Sequence, residues 1–208
     1  MMIKRLLIGS IILLGTLLVL LLYLPAMRPQ PTPAQMQTTG EVQIGGPFTL
    51  INTRGEEVTE TLLLGHYSLI YFGFTYCPDI CPLALQTITE TLEILGPDGE
   101  QVMPVFISLD PERDTPDVVA SYLEHFHPRF EGLTGTLAQT TAAAEQYRVY
   151  AKKSFLKDAD GVETSDYTVD HTGFLYLMNP AGRYADHFSK EATAPEIAER
   201  LKQALVGS

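Results

Sequence analysis

From Ser68 to Phe74 the chain is apolar and β-prone, a length suited to one buried strand and too short for a stable helix. It runs straight into Thr75-Tyr-Cys-Pro-Asp-Ile-Cys-Pro82. From Ile80 to Leu95 apolar side chains then recur near helical spacing, up to Gly96, a natural stop. The two cysteines of the chain therefore stand where a strand hands over to a helix. Positions i and i+4 of a helix share a face, so Cys77 and Cys81 are expected side by side, one turn apart. The unsatisfied N–H groups of a helix start carry partial positive charge and lower a thiol pKa. Two thiolates so placed can close a disulfide, hold a soft metal ion, or do each in turn.

The sequence around this unit alternates strands and helices. Gly46–Asn52 and Glu57–Thr59 read as an opening hairpin about Thr53-Arg-Gly55, and Val102–Leu109 as the next buried strand. Thr115 followed by Pro116 is a helix start, for a helix to Phe126. A short strand at Gly132–Thr136 precedes an alanine-rich helix, Leu137–Arg148. Val149–Phe155 and Tyr167–Val169 pair as a hairpin around the charged loop Lys157–Gly161. His171–Met178 is expected as one apolar strand, returning through Asn179–Gly182 to Arg183–Phe188. A helix over Ala194–Leu205 closes the chain. The class is α/β, with a central mixed sheet covered on both faces.

The N-terminus carries Lys4 and Arg5 and then nineteen uncharged residues, Leu6 to Leu24, about one bilayer core long. Residues 1–24 are expected to form a transmembrane anchor with the N-terminus cytoplasmic. A cleaved signal peptide fits less well, because its apolar region is usually only about 7–15 residues long. Residues 25–40, with four prolines, suit an extended tether, leaving 41–208 as one domain. Of the 14 Lys and Arg, Lys4, Arg5 and Arg28 precede Glu41, whereas none of the 25 Asp and Glu does. So acidic an exported part excludes nucleic acid as a natural partner.

Three stretches together resemble the Sco/SenC family of thioredoxin-like proteins: Phe72-Gly-Phe-Thr-Tyr-Cys-Pro-Asp-Ile-Cys-Pro82, Ser108-Leu-Asp-Pro-Glu-Arg-Asp-Thr-Pro116 and Val169-Asp-His-Thr172. The resemblance spans roughly residues 42–206. It implies a membrane-anchored copper protein that assembles the binuclear copper site of cytochrome c oxidase, with copper held by Cys77, Cys81 and His171. It also implies a bacterial inner-membrane location with the domain in the periplasm, and the copper-bearing oxidase subunit as partner. The C-x-x-x-C spacing and the lack of proline over 169–175 set the chain apart from ordinary thioredoxins.

Thiolates are soft ligands for Cu(I), and imidazole accommodates Cu(I) and Cu(II), so a Cys₂His set tolerates a change of oxidation state. Structural zinc asks for four protein ligands, and no motif supplies the other two. A disulfide closing so small a loop adds little stability, which favours reversible use of the thiols. On the residues alone His171 reads as a strand-end histidine; the resemblance makes it a ligand. Asp170 either orients the site or is solvated, and Asp79 reads as a helix-start acid. Asp110, Arg113 and Asp114 are expected to form a charge-paired loop capping a helix. His125 and His127 read as ordinary surface histidines, His66 and His187 have no company in sequence, Tyr71 and Tyr76 read as core or pocket wall, and Met103 and Met178 as core. Met27 and Met36 fall in the tether. Two functions follow: a copper chaperone, or a thiol-disulfide reductase using Cys77 and Cys81 as its redox dithiol without metal. A peroxidase is disfavoured, since no dedicated peroxidatic pocket is signalled.

Overall fold

Every residue of β3 (Tyr67–Gly73) is buried, which places this strand in the middle of a sheet. The computed structural model describes residues 43–206 of the chain. The expected anchor, the tether and the two methionines assigned to it lie outside the described residues. Among the described residues no helix is long and apolar enough to cross a membrane.

β3 pairs in parallel with β4 (Val102–Ser108) and antiparallel with β8 (Leu175–Met178). Parallel neighbours need a crossover, and α1 (Ile80–Leu95) supplies it. From β4 the chain passes through α2 (Pro116–Leu123) to β5 (Glu131–Thr134), again parallel. The hairpin of β1 (Thr49–Asn52) and β2 (Glu57–Thr59) adds to the free edge of β5, and β9 (Tyr184–Phe188) adds to β8. The result is a seven-stranded mixed sheet, β2-β1-β5-β4-β3-β8-β9, as the α/β reading expected.

Aromatic side chains show how both faces are filled. Tyr71 sits opposite Phe106, and on that face Phe106 meets Tyr122 of α2 at 5.7 Å between ring centres. Tyr67 points the same way and donates to the Ala204 carbonyl of α4 (Ala194–Val206) at 3.0 Å. On the opposite face Phe72 and Tyr176 surround Tyr147, at the end of α3 (Leu137–Gln146), at 5.1 and 5.7 Å. Local signals start the helices, the first as expected. Thr115 accepts the Val118 N–H ahead of Pro116, and Thr136 and Gln139 form a reciprocal capping box.

Two expectations change at the hairpin. β6 (Ala151–Lys157) is shifted two residues along from the expected Val149–Phe155, β7 (Glu163–His171) is longer than the sequence suggested, and the two form a separate two-stranded sheet. His171 closes β7 rather than opening β8, and Thr172–Phe174 interrupts the expected single strand over 171–178. The reason is a pair of bonds at the hairpin base: Thr172 N–H to the Tyr150 carbonyl and Tyr150 N–H to Thr172 Oγ1, both 3.0 Å. They hold residue 172 to the hairpin, so the chain must turn before it can rejoin the main sheet.

Candidate metal centre

β3 ends at Gly73 and α1 begins at Ile80, so Cys77 lies in the connecting loop and only Cys81 is helical. The expectation of a shared helix face is thereby corrected. Cys77 precedes Pro78, and the proline ring disfavours helical geometry for the residue before it. Capping brings the two sulfurs together instead. The Asp79 side chain makes no cap hydrogen bond, and Cys77 Sγ accepts the Cys81 N–H at 3.4 Å. The Cys77 N–H bonds the Phe74 carbonyl at 3.2 Å and closes the loop.

This arrangement splits the thiols electrostatically. The thiol of Cys81 donates to Cys77 and holds the Cys77 pKa down at about 3; His171 and the Asp79 and Cys81 amides add to the effect, against the opposing influence of burial. Cys81 moves the other way, first because it supplies that hydrogen bond and next because it is buried. Cys77 is half-buried and Cys81 fully buried, and both are free thiols. Cys77 is thus the accessible thiolate and Cys81 the protonated partner behind it.

His171 stands at the end of β7, ninety residues along the chain from Cys81, with Nε2 3.6 Å from Cys81 Sγ. Its Nδ1 lies 2.9 Å from the Thr172 carbonyl. A carbonyl only accepts, so Nδ1 carries a proton, and Nε2 is the ring nitrogen that faces the sulfur. The edges of Tyr71 and Phe74 wall the imidazole at 6.1 and 5.9 Å. Cys77 and His171 line an open cleft of about 550 Å³ with Asp79, Asp170 and Phe174. The three residues singled out in the sequence meet through pairwise contacts. Among the described residues no group of three or more His, Cys, Asp or Glu is already set to hold a metal ion. As a donor set, two sulfurs and one imidazole nitrogen fit a soft or borderline cation.

Other candidates fall differently. Tyr71, expected as wall, is wall and also donates its hydroxyl to Cys81 Sγ at 3.7 Å; only the register of β3 against α1 reveals this. Burial first, then Cys81, raises its pKa. Asp170 is exposed and accepts from Ser154 across the hairpin at 2.5 Å. His125 and His127 bond locally, to the Tyr122 carbonyl and the Arg129 amide. His187 accepts or donates to the Tyr184 hydroxyl at 2.6 Å, and Met178 is core.

The Asp110–Asp114 loop is charge-paired as expected, between Asp110 and Arg113, and Thr115 caps the helix that follows; both aspartates are fully buried. The Asp114 carboxylate accepts from Thr75 N–H at 3.1 Å, Thr75 Oγ1 at 2.5 Å and Ser108 Oγ at 2.6 Å, so it pins the loop that carries Cys77. Arg113 donates from Nε to Asp110 and from Nη1 to the Tyr167 carbonyl of β7 at 3.0 Å.

Gly73 makes room for the buried thiol. A methyl there would stand 2.9 Å from Cys81 Sγ and 2.8 Å from Cε1 of Tyr71. Gly73→Ala is expected to lose roughly 1–3 kcal/mol by overpacking, read from the urea midpoint at unchanged slope. An unchanged midpoint would mean that the strand shifts without strain.

Comparison with known proteins extends these observations. A family model described as SCO1/SenC matches residues 36–206. The SCO2-like protein RP587 of Rickettsia prowazekii is 43% identical over 162 residues, covering 78% of this chain and 77% of that one. Among solved structures, ScoI of Bradyrhizobium japonicum with copper bound is 46% identical, covers 77% of this chain and 98% of its own, and superposes with a TM-score of 0.69. BsSco, described as a member of the Sco family of cytochrome c oxidase assembly proteins and as having a disulfide switch, is 25% identical. It covers 78% of this chain and 94% of its own, with a TM-score of 0.60.

Proposed function

The chain belongs to the SCO1/SenC family, and on that premise we propose that it carries copper on Cys77, Cys81 and His171 and delivers it to the copper-bearing subunit of cytochrome c oxidase. At the coarser level it is a Sco-family copper-binding protein of oxidase assembly. The observation that carries the finer reading is the placing of His171, whose Nε2 lies 3.6 Å from Cys81 Sγ. Two thiolates suit Cu(I), and the imidazole adds a ligand acceptable to Cu(II). Cys77 is the natural first contact for an incoming or departing ion, because it is ionised and opens on the cleft. Release proceeds by ligand exchange, the acceptor's thiolates replacing Cys77 first and the buried Cys81 last. Residues 1–24 anchor the domain in the inner membrane of a bacterium and residues 25–40 hold it in the periplasm.

A second reading is favoured by the split of the thiols. An ionised, accessible Cys77 beside a protonated, buried Cys81 is also a redox dithiol. Cys77 would attack a substrate disulfide and expel one thiolate. Cys81 would then attack the mixed disulfide at Cys77 and release the second, leaving a Cys77–Cys81 disulfide and a reduced substrate.

Anaerobic titration of the reduced full chain with Cu(I) and Cu(II), beside His171→Ala, separates the two. For a copper carrier, His171→Ala is expected to lower Cu(II) affinity by about a hundredfold or more and to stall oxidase assembly. Equal Cu(II) affinity in the two chains would reject the carrier reading and leave the dithiol as a reductase.

A further inference from the structure

The hairpin β6–β7 carries His171 but shares no ladder with the main sheet. Something other than backbone pairing must therefore fix the distance between His171 and the cysteine loop. The contacts that do so converge on one side chain. The Arg113 guanidinium lies 3.8 Å from the centre of the Tyr167 ring, and Tyr167 is on β7, four residues before His171. The same guanidinium lies over Tyr76 at 4.7 Å and Phe74 at 5.9 Å, both on the loop that leads to Cys77.

Hydrogen bonds lock this stack. Arg113 Nε bonds Asp110, which is fully buried, and Nη1 bonds the Tyr167 carbonyl at 3.0 Å. The Tyr167 hydroxyl closes the ring of contacts by donating to the other Asp110 oxygen at 2.8 Å. From the outer side Lys153 of β6 reaches the Tyr167 ring at 4.3 Å and pairs with Glu112 at 2.6 Å. A planar, permanently charged group with fixed donors is what such a junction requires; a lysine ammonium cannot fork or stack in the same way.

We propose that Arg113, held by Asp110 and Tyr167, is the positioning residue that sets His171 against Cys77 and Cys81, so that it governs Cu(II) binding without touching the ion. The inference rests on the assignment of His171 as a ligand. Arg113 touches Phe74, which also walls the His171 ring, so a shift at the junction reaches the imidazole by two routes: along β7 and through that ring.

The test compares full-length wild type, Arg113→Lys, Tyr167→Ala, His171→Ala and the double variant Arg113→Lys/His171→Ala. Cu(II) alone is the titrant; affinity, the thiolate-to-copper absorption band and the Cu(II) paramagnetic resonance spectrum are the readouts. Arg113→Lys and Tyr167→Ala are each expected to lower Cu(II) affinity by about ten- to a hundredfold and to change the spectrum, the range seen when groups that orient a ligand are lost. In the double variant the Arg113 change is expected to add no more than about twofold to the loss from His171→Ala, because its effect runs through that imidazole. In the copper-free chain, the His171 ring-proton resonances, shifted by the Tyr71 and Phe74 rings, should move toward free-histidine positions in Arg113→Lys.

If Arg113→Lys and Tyr167→Ala both bind Cu(II) like wild type while His171→Ala does not, the positioning role is overturned and the ligand set stands. Full additivity in the double variant likewise overturns it, since the effect would then be general loosening. If His171→Ala binds like wild type, the ligand assignment itself has failed, and the positioning role falls with it. Tyr167→Ala, which keeps Arg113 and the loop intact, guards against reading a misfolded Arg113→Lys as support.

Discussion

Serine at position 77 or at position 81 is expected to lower Cu(I) affinity by at least about a thousandfold, some 4 kcal/mol at 1.4 kcal/mol per factor of ten. A serine hydroxyl is hard and stays protonated near neutral pH, whereas Cu(I) seeks soft thiolate sulfur. The two sites nevertheless differ before any metal is present. Cys77 is half-buried with its pKa held at about 3, and Cys81 is buried with its pKa raised. Iodoacetamide should therefore modify Cys77 first, at a rate that stays nearly flat from about pH 5 to pH 8, because the thiolate is already fully formed there. Cys81→Ala removes the main hydrogen bond that keeps Cys77 ionised, so in that variant the rate should rise with pH across the same interval. Anaerobic competition with a Cu(I) chelator and mass spectrometry of the alkylated chain read both effects. Stoichiometric, tight Cu(I) in Cys77→Ser would remove the dithiol from the copper site altogether.

Asp114→Ala carries the largest expected cost in stability, roughly 3–5 kcal/mol, because it strands three buried or half-buried donors, Thr75 N–H, Thr75 Oγ1 and Ser108 Oγ. For a domain of this size that lowers the melting temperature by on the order of 10 °C. Asp114→Asn keeps the shape and one acceptor oxygen and is expected to cost only about 1 kcal/mol. The pH dependence separates charge from shape. Burial raises the Asp114 pKa above its ordinary 3.8, against the lowering by Ser108 and Thr75. The folded chain thus keeps that proton to higher pH than the unfolded chain, and as pH climbs from about 4 through the raised value the native state binds the extra proton. This group's contribution is accordingly complete below about pH 4 and is lost as pH rises. Urea midpoints from pH 3 to 7 should show the wild type losing ground with rising pH relative to Asp114→Asn. A difference that runs the other way would mean that the ionised carboxylate is the favoured form in the fold.

These results bear on how the site is assembled, because Asp114 and Arg113 are neighbours with different duties. Asp114 binds inward to Thr75 and Ser108 and fixes the cysteine loop on the main sheet. Arg113 reaches outward to Tyr167 and fixes the hairpin. The sequence suggested that this loop was charge-paired and capped a helix. Opposite charges at short spacing say nothing of which distant strand a guanidinium will cover, and Tyr167 is 54 residues further on.

Much was nonetheless local, and so legible. The buried run Ser68–Phe74, the helix starting at Ile80, the stop at Gly96 and the Thr115-Pro116 cap are all governed by periodicity and by neighbours within a few residues. The parts that required the tertiary structure are those set by long-range pairing. Cys77 leaves the helix because Pro78 follows it, and its sulfur then replaces the Asp79 side chain as the cap. His171 ends β7 instead of beginning β8 because Thr172 is bonded back to Tyr150. The chain's sequence by itself determined that a dithiol would sit at a strand-to-helix junction, since short-range sterics and apolar spacing decide that. Where the imidazole would meet the dithiol was decided only when a hairpin with no ladder to the main sheet was fastened beside it by side-chain contacts, which no local pattern encodes.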